Sequence, residues 1–183
     1  KVILIYFEKL NFINMKQEII RLWSACNQKC LFCNQEEIFD KKTKKQIFLE
    51  LLGFKKKWIE RLVISGWEPT LFKQELFFCI ETWKKIWFKY IEIQSNACLL
   101  SDYNYTKKLF DLWLNYAMIS LHSFDENISD DLTQVKWTFK KTLIWIDNLI
   151  KIWIKTSLNI VINKKNYRSE EHTSELQSHS DLV

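Results

Sequence analysis

The sequence predicts an α/β fold built on a parallel sheet, and three observations carry that prediction. Short aliphatic and β-branched runs alternate with longer stretches of helical period, and such β–loop–α repeats place helices outside a parallel sheet. The loops richest in chemistry-bearing side chains, at Cys26–Cys33, Gly66–Pro69 and Ser95–Asn96, each follow a strand, so they meet on one rim, where such folds collect ligands. No apolar run approaches the eighteen or so residues of a membrane span, and the opening Val2–Phe7 is too short and ill-flanked for a signal peptide.

Each element has its own reason. Glu18–Leu22 reads as the first strand and leads into the cysteine loop; Glu36, Glu37 and the Lys41–Lys45 run read as a solvated loop and helix start. Lys44–Lys56 is a charged amphipathic helix, and the short buried run of Arg61–Ser65 is the next strand. Leu71–Ile86 is helical by period and Tyr90–Gln94 is a strand. Tyr103–Leu114 is a helix, Tyr116–Leu121 a strand and Thr138–Ile152 a helix. Thr156–Ile162, rich in β-branched residues, is the fifth strand.

Cys26-Asn27-Gln28-Lys29-Cys30-Leu31-Phe32-Cys33 is a C-x3-C-x2-C cluster. Three thiolates in one short loop suffice for three irons of a cubane [4Fe–4S] cluster and leave the fourth iron open. Electron-transfer clusters and closed zinc sites ordinarily take four protein ligands. A zinc knuckle, or cysteines with no shared ligand, is the alternative that spacing leaves open. The motif, with an aromatic residue directly before its last cysteine, resembles the signature of the radical S-adenosylmethionine (SAM) superfamily. A second resemblance follows at Gly66-Trp67-Glu68-Pro69, where that family carries Gly-Gly-Glu-Pro. The likeness covers nearly all of the first 167 residues and is strongest at these two motifs.

The resemblance implies a partial (β/α)6 TIM-like barrel, ending here after about the fifth strand. It also implies a [4Fe–4S] cluster ligated by Cys26, Cys30 and Cys33, with SAM chelating the fourth iron. Reductive cleavage of SAM would then give a 5′-deoxyadenosyl radical that abstracts hydrogen from a substrate. Phe32 matches the position whose ring lies near adenine. Gly66 and Trp67 stand in the turn that receives the SAM amino group, Glu68 would support that group and Pro69 would stiffen the exit. Ser95 and Asn96 resemble a polar pair that faces SAM. Ser120 and His122 share one face of their strand by alternation, the barrel interior, within reach of SAM or substrate. The pattern assigns no residue a catalytic role. An electron donor such as flavodoxin or ferredoxin is implied. The segment from Ser120 to Asn166 weakly resembles enzymes that modify peptide or protein side chains, and tRNA or cofactor-biosynthetic substrates stay open. A non-enzymatic iron–sulfur or zinc-binding module is the alternative from another class.

Cys79 lies in an apolar helical run and reads as core; Cys98, just past the third-strand loop, reads as a core or surface thiol. Three clustered thiols suit a reducing cytoplasm rather than a disulfide scaffold. The net charge is +5, and it comes from lysine scattered through helices, so a nucleic-acid surface is not expected.

The chain holds nine Trp and two Gly, where a base rate of about 7% gives roughly thirteen Gly. Trp58, Trp87, Trp113 and Trp153 each follow a helix and precede a strand, the position where Gly ends helices. Trp23 precedes the cluster loop, whereas Trp83 and Trp145 fall inside helical runs. These tryptophans therefore read as occupants of glycine positions, as expected if UGA encodes glycine in the source. Residues 168–183, Arg168-Ser169-Glu170-Glu171-His172 onward, read as a non-native tail resembling translated sequencing adapter. Residues 1–167 are then one core domain, and the sixth strand and the substrate-selecting region are expected beyond it.

Overall fold

A computed structural model describes the backbone of residues 2–5 and all of residues 15–33, 38–87 and 90–167. Strands β1 (Val2–Ile5), β2 (Gln17–Arg21), β3 (Arg61–Ser65), β4 (Tyr90–Ser95), β5 (Tyr116–Ser120) and β6 (Lys155–Val161) form one sheet in the order β1-β6-β5-β4-β3-β2. β2 to β6 are all parallel, and β1 pairs antiparallel with β6. Five helices accompany them: α1 (Lys44–Lys56), α2 (Lys73–Ile86), α3 (Tyr103–Asp111), α4 (Glu126–Thr133) and α5 (Thr138–Ile152).

Alternation along each strand sorts the two faces of the sheet. Leu62, Ile64, Ile91, Ile93, Ala117 and Ile119 are fully buried in one cluster with Ile47, Leu51, Leu76, Ile80, Leu109 and Leu149 of the helices. The register brings Ile20 opposite Ile64 and Ile64 opposite Ile93, so the apolar rows run across the sheet. The other face is polar at its C-terminal end, with Ser65, Gln94, Ser120 and Asn159 lining a common cavity. Toward the strand starts the same face is closed by a buried Arg61–Glu92 ion pair, with the Arg61 guanidinium 5.6 Å from the Tyr116 ring centre.

Helix starts are locally encoded. Thr43 and Gln46 form a reciprocal capping box at α1, Asp102 caps α3 through Asn104 and Tyr105, and Asp125 caps α4 through Ile128. Pro69–Leu71 is a 3₁₀ turn capped by Glu68, so α2 starts at Lys73 rather than at Leu71. Two elements were not foreseen from sequence. β1 has no polar alternation to mark it, and α4 is a two-turn helix that hydrophobic period does not resolve. α3 ends at Asp111, three residues before the expected end, because Leu112 and Trp113 turn the chain into β5. The tail at 168–183 and Glu36 and Glu37 lie outside the described residues.

Among the described residues, six other than glycine have positive φ, and four are tryptophan: Trp58 (58°), Trp113 (90°), Trp137 (70°) and Trp153 (64°). A bulky side chain in this region is a steric outlier, whereas glycine is at ease there. Trp153 at the end of α5 is 89% exposed, so packing does not hold it in that conformation. Trp87 departs from the expectation: its φ is −138°, which any residue adopts. Trp137, just before α5, was not singled out from sequence. Trp83 and Trp145 are fully buried core side chains, each with an indole N–H that has no hydrogen-bond partner. Left-handed strain of ~1–2 kcal/mol exceeds the added chain entropy of a glycine, ~0.5–1 kcal/mol. Trp153→Gly should therefore raise the urea midpoint, by about 1 kcal/mol of stability, and a lower midpoint would count against a glycine position. UGA codons are expected at all four positive-φ tryptophans.

Candidate active site at the C-terminal rim

The turn after β3 is set by Gly66. Its φ is +140°, and a Cβ there would lie 2.7 Å from the backbone oxygen of Trp23, so no larger residue fits. This close approach lets Trp67 N donate to Trp23 O (3.1 Å) and Glu68 N to Ala25 O (2.9 Å), which ties the turn to the strand entering the cysteine loop.

Glu68 is fully buried and holds the rim together. Its Oε1 accepts from Thr70 N (2.9 Å), Thr70 Oγ1 (2.5 Å) and Ser95 Oγ (2.8 Å), and its Oε2 from Asn96 N (2.7 Å). Burial pushes its pKa up, and these donors oppose that shift by favouring the carboxylate. The residue expected to support a SAM amino group thus stands behind the cavity wall, as a brace between β3 and β4. Pro69 is buried beside it.

The cysteine loop is pinned on three sides. Ser24 Oγ donates to Phe39 O (2.7 Å) and accepts from Phe39 N (3.0 Å). Lys29 N and Leu31 N donate to Thr133 O and Leu132 O at the end of α4, at 3.0 and 2.9 Å. From just past β4, Asn96 Nδ2 donates to Asn27 Oδ1 (2.7 Å) and to Cys26 Sγ (3.5 Å). Gln28 Nε2 donates to Cys98 Sγ (3.3 Å), and Gln28 Oε1 accepts from Cys30 Sγ (3.5 Å).

Cys26, Cys30 and Cys33 all line a cavity of about 600 Å³ that opens on this rim. Burial raises the pKa of Cys26, and it pushes Cys30 up to about 12 with help from the neighbouring Cys26 and Cys33 sulfurs. Burial opposes ionisation of the Cys26 and Cys30 thiols, which suits a cationic group that would neutralise them. Among the described residues no group of three or more His, Cys, Asp or Glu side chains is gathered around a single point. A cubane takes one thiolate per iron at separate corners, and this donor set suits it.

The facing wall of the cavity includes Gly66, Trp67, Ser95, Asn96, Ser120 and His122. His122 is 4% exposed, and burial lowers its pKa to about 4, so the ring is neutral. Val161 N donates to His122 Nδ1 at 3.4 Å, which leaves the proton on Nε2. The Phe32 ring meets His122 edge-on at 4.4 Å. Trp67 lines the cavity, with its indole N–H buried and without a hydrogen-bond partner. The structure thus brings together every residue singled out from sequence, ten of them on the cavity wall and Glu68 and Pro69 behind it. Gln28, Met118, Asn159 and Val161 also line it but were not foreseen. Gln28 was signalled only by standing between two ligands. Cys98 is buried with its thiol pushed up to about 11, and it faces the cluster loop through Gln28. Cys79 is fully buried in the core.

Both Glu68 oxygens face a backbone N–H, so a glutamine amide in either orientation sets N–H against N–H. Glu68→Gln should lose about 1–3 kcal/mol of stability, the usual cost of an unsatisfied buried donor. Chemical denaturation measures this, and a wild-type midpoint would show that Glu68 braces nothing.

Comparison with known proteins agrees with this geometry. Residues 20–176 match the family model described as the radical SAM superfamily. The curated "Probable GTP 3′,8-cyclase" of Sulfurisphaera tokodaii is 28% identical over 151 residues, covering 80% of this chain and 47% of the relative. That of Sulfolobus acidocaldarius is 31% identical over the same shares. The chain thus spans about half the length of the curated relatives it matches. Streptococcus suis SuiB bound to its precursor peptide SuiA superposes with a TM-score of 0.70 at 21% identity, covering 87% of this chain and 36% of that one. The anSMEcpe enzyme with bound AdoMet and a peptide gives 0.66 at 19%, covering 78% and 42%. The sheet, the three-cysteine loop and the family match agree, and the chain belongs to the radical SAM superfamily, whose cofactors are a [4Fe–4S] cluster and SAM.

Proposed function

We propose that this chain is the cofactor-binding core of a radical SAM enzyme, with Cys26, Cys30 and Cys33 as the cluster ligands. The observation that carries the reading is the meeting of three thiols, the Gly66 turn and a polar interior wall in one cavity. When bound, the cluster supplies the electron that cleaves SAM to methionine and a 5′-deoxyadenosyl radical for hydrogen abstraction. The chain's own residues orient and shield. The Gly66–Trp67 turn offers backbone to the amino acid end of SAM, and Phe32 offers a ring face to adenine. Ser120 supplies a hydroxyl and His122 a fixed Nε2–H to SAM or substrate, while the Ser95 hydroxyl is spent on Glu68 and holds the wall in place. Burial of Phe32 and His122 against each other keeps water from that side.

The similarity to SuiB and anSMEcpe, each solved with a peptide, supports a peptide or protein side chain as substrate class. The closer sequence likeness to GTP 3′,8-cyclases supports a purine nucleotide as the second reading. An electron donor of the flavodoxin or ferredoxin type and a cytoplasmic setting follow from the redox chemistry and the clustered thiols. Among the described residues no helix is long and apolar enough to cross a membrane.

Reconstituted without oxygen and reduced, the full-length protein should cleave SAM to 5′-deoxyadenosine. Cys26→Ala, Cys30→Ala and Cys33→Ala should each abolish cluster binding and cleavage, because each removes one of three ligands; full activity in any one refutes the ligand set. Trp67→Gly should tighten SAM binding at least tenfold, about 1.4 kcal/mol, by clearing the indole from the cavity. Calorimetric titration measures this, and equal or weaker binding contradicts it.

A further inference from the structure

Asn96 stands where a SAM contact is expected, yet its amide donors are both taken within the protein. Cys98 N donates to Asn96 Oδ1 at 3.1 Å. A backbone N–H can only donate, so this bond fixes the amide orientation and turns Nδ2 toward the cluster loop. The two Nδ2 protons then go to Asn27 Oδ1 at 2.7 Å and Cys26 Sγ at 3.5 Å. The backbone is held as well: Asn96 N donates to Glu68 Oε2 (2.7 Å) and Asn96 O accepts from Thr142 Oγ1 (3.2 Å). The residue is 7% exposed, and both of its Nδ2 protons are taken within the protein.

We propose that Asn96 is a positioning residue for the iron–sulfur cluster, donating a side-chain hydrogen bond to the ligating sulfur of Cys26 rather than binding SAM. The inference rests on the reading that Cys26 is a cluster ligand. An N–H donor withdraws electron density from a ligating sulfur, so it favours the reduced cluster and raises its potential. The same amide holds Asn27, next to Cys26, and so fixes the direction from which that sulfur enters the cavity. Because Asn96 N also binds Glu68, the Gly66 turn and the Cys26 corner are set by one residue.

Asn96→Asp keeps the shape and the acceptor for Cys98 N but replaces the donor to Cys26 with a carboxylate, so the uncharged Asn96→Ala separates the lost hydrogen bond from the added charge. Asn96→Ala removes both. In the reconstituted full chain without SAM, both should retain iron at the wild-type ratio and show a midpoint potential more negative than wild type. Wild type labelled with ¹⁵N in asparagine side-chain amides should also show a weak nitrogen coupling in the spectrum of the reduced cluster, reduced in Asn96→Asp. That measurement on wild type decides the matter even where a variant folds poorly. Unchanged potentials with weakened SAM binding, or no nitrogen coupling from Asn96, overturn the proposal and make Asn96 a direct SAM ligand or a plain strut. A wild-type chain that takes up no iron overturns this proposal together with the functional reading beneath it.

Discussion

The buried carboxylate of Glu68 is the constraint on which the site depends. One side chain gathers hydrogen bonds from Thr70, Ser95 and Asn96, and its own N–H ties back to Ala25 beside the first cysteine. Three segments that are distant in sequence are thereby fixed to one another: the cluster loop, the turn after β3 and the exit of β4. A buried charge is costly unless fully paired, and here the pairing is what defines the rim. Gly66 makes it possible, since a Cβ at that position would lie only 2.7 Å from Trp23 O.

From that brace the polar network spreads in two directions. Through Asn96 it reaches Cys26 and Asn27, and through Cys98 and Gln28 it reaches Cys30. The loop's far side is carried by the end of α4. The cysteine loop has little regular structure of its own, so its shape comes from these partners. Across the cavity, His122 is held neutral by burial and oriented by Val161 N, so the wall presents a donor at Nε2 throughout the physiological range.

Much of this was legible in the sequence, for identifiable reasons. Arg61–Ser65 announces itself as a short buried run, Tyr90–Gln94 places its isoleucines at alternate positions, and cysteine spacing marks the loop directly. What stayed hidden depends on tertiary partners. A carboxylate such as Glu68 reads as a ligand-facing residue until its four donors are seen. Gln28 and Cys98 have no local signature, because their contact joins residues seventy apart. β1 is defined by pairing with β6, and α4 is too short for a period to register. The tryptophans divide in the same way. Trp58, Trp113 and Trp153 follow helices and carry positive φ, whereas Trp87 in the same sequence context does not, and only backbone geometry separates them.

Three thiolates that hold a [4Fe–4S] cluster leave one iron for SAM. The most direct measurement is the electron paramagnetic resonance spectrum of the reduced, reconstituted full-length protein, recorded before and after SAM is added. A site-open cluster predicts a changed spectrum on addition of SAM, because the amino acid end of SAM becomes a ligand. A normal reduced-cluster spectrum that SAM leaves unchanged would mean an ordinary electron-carrying centre, and would contradict the claim.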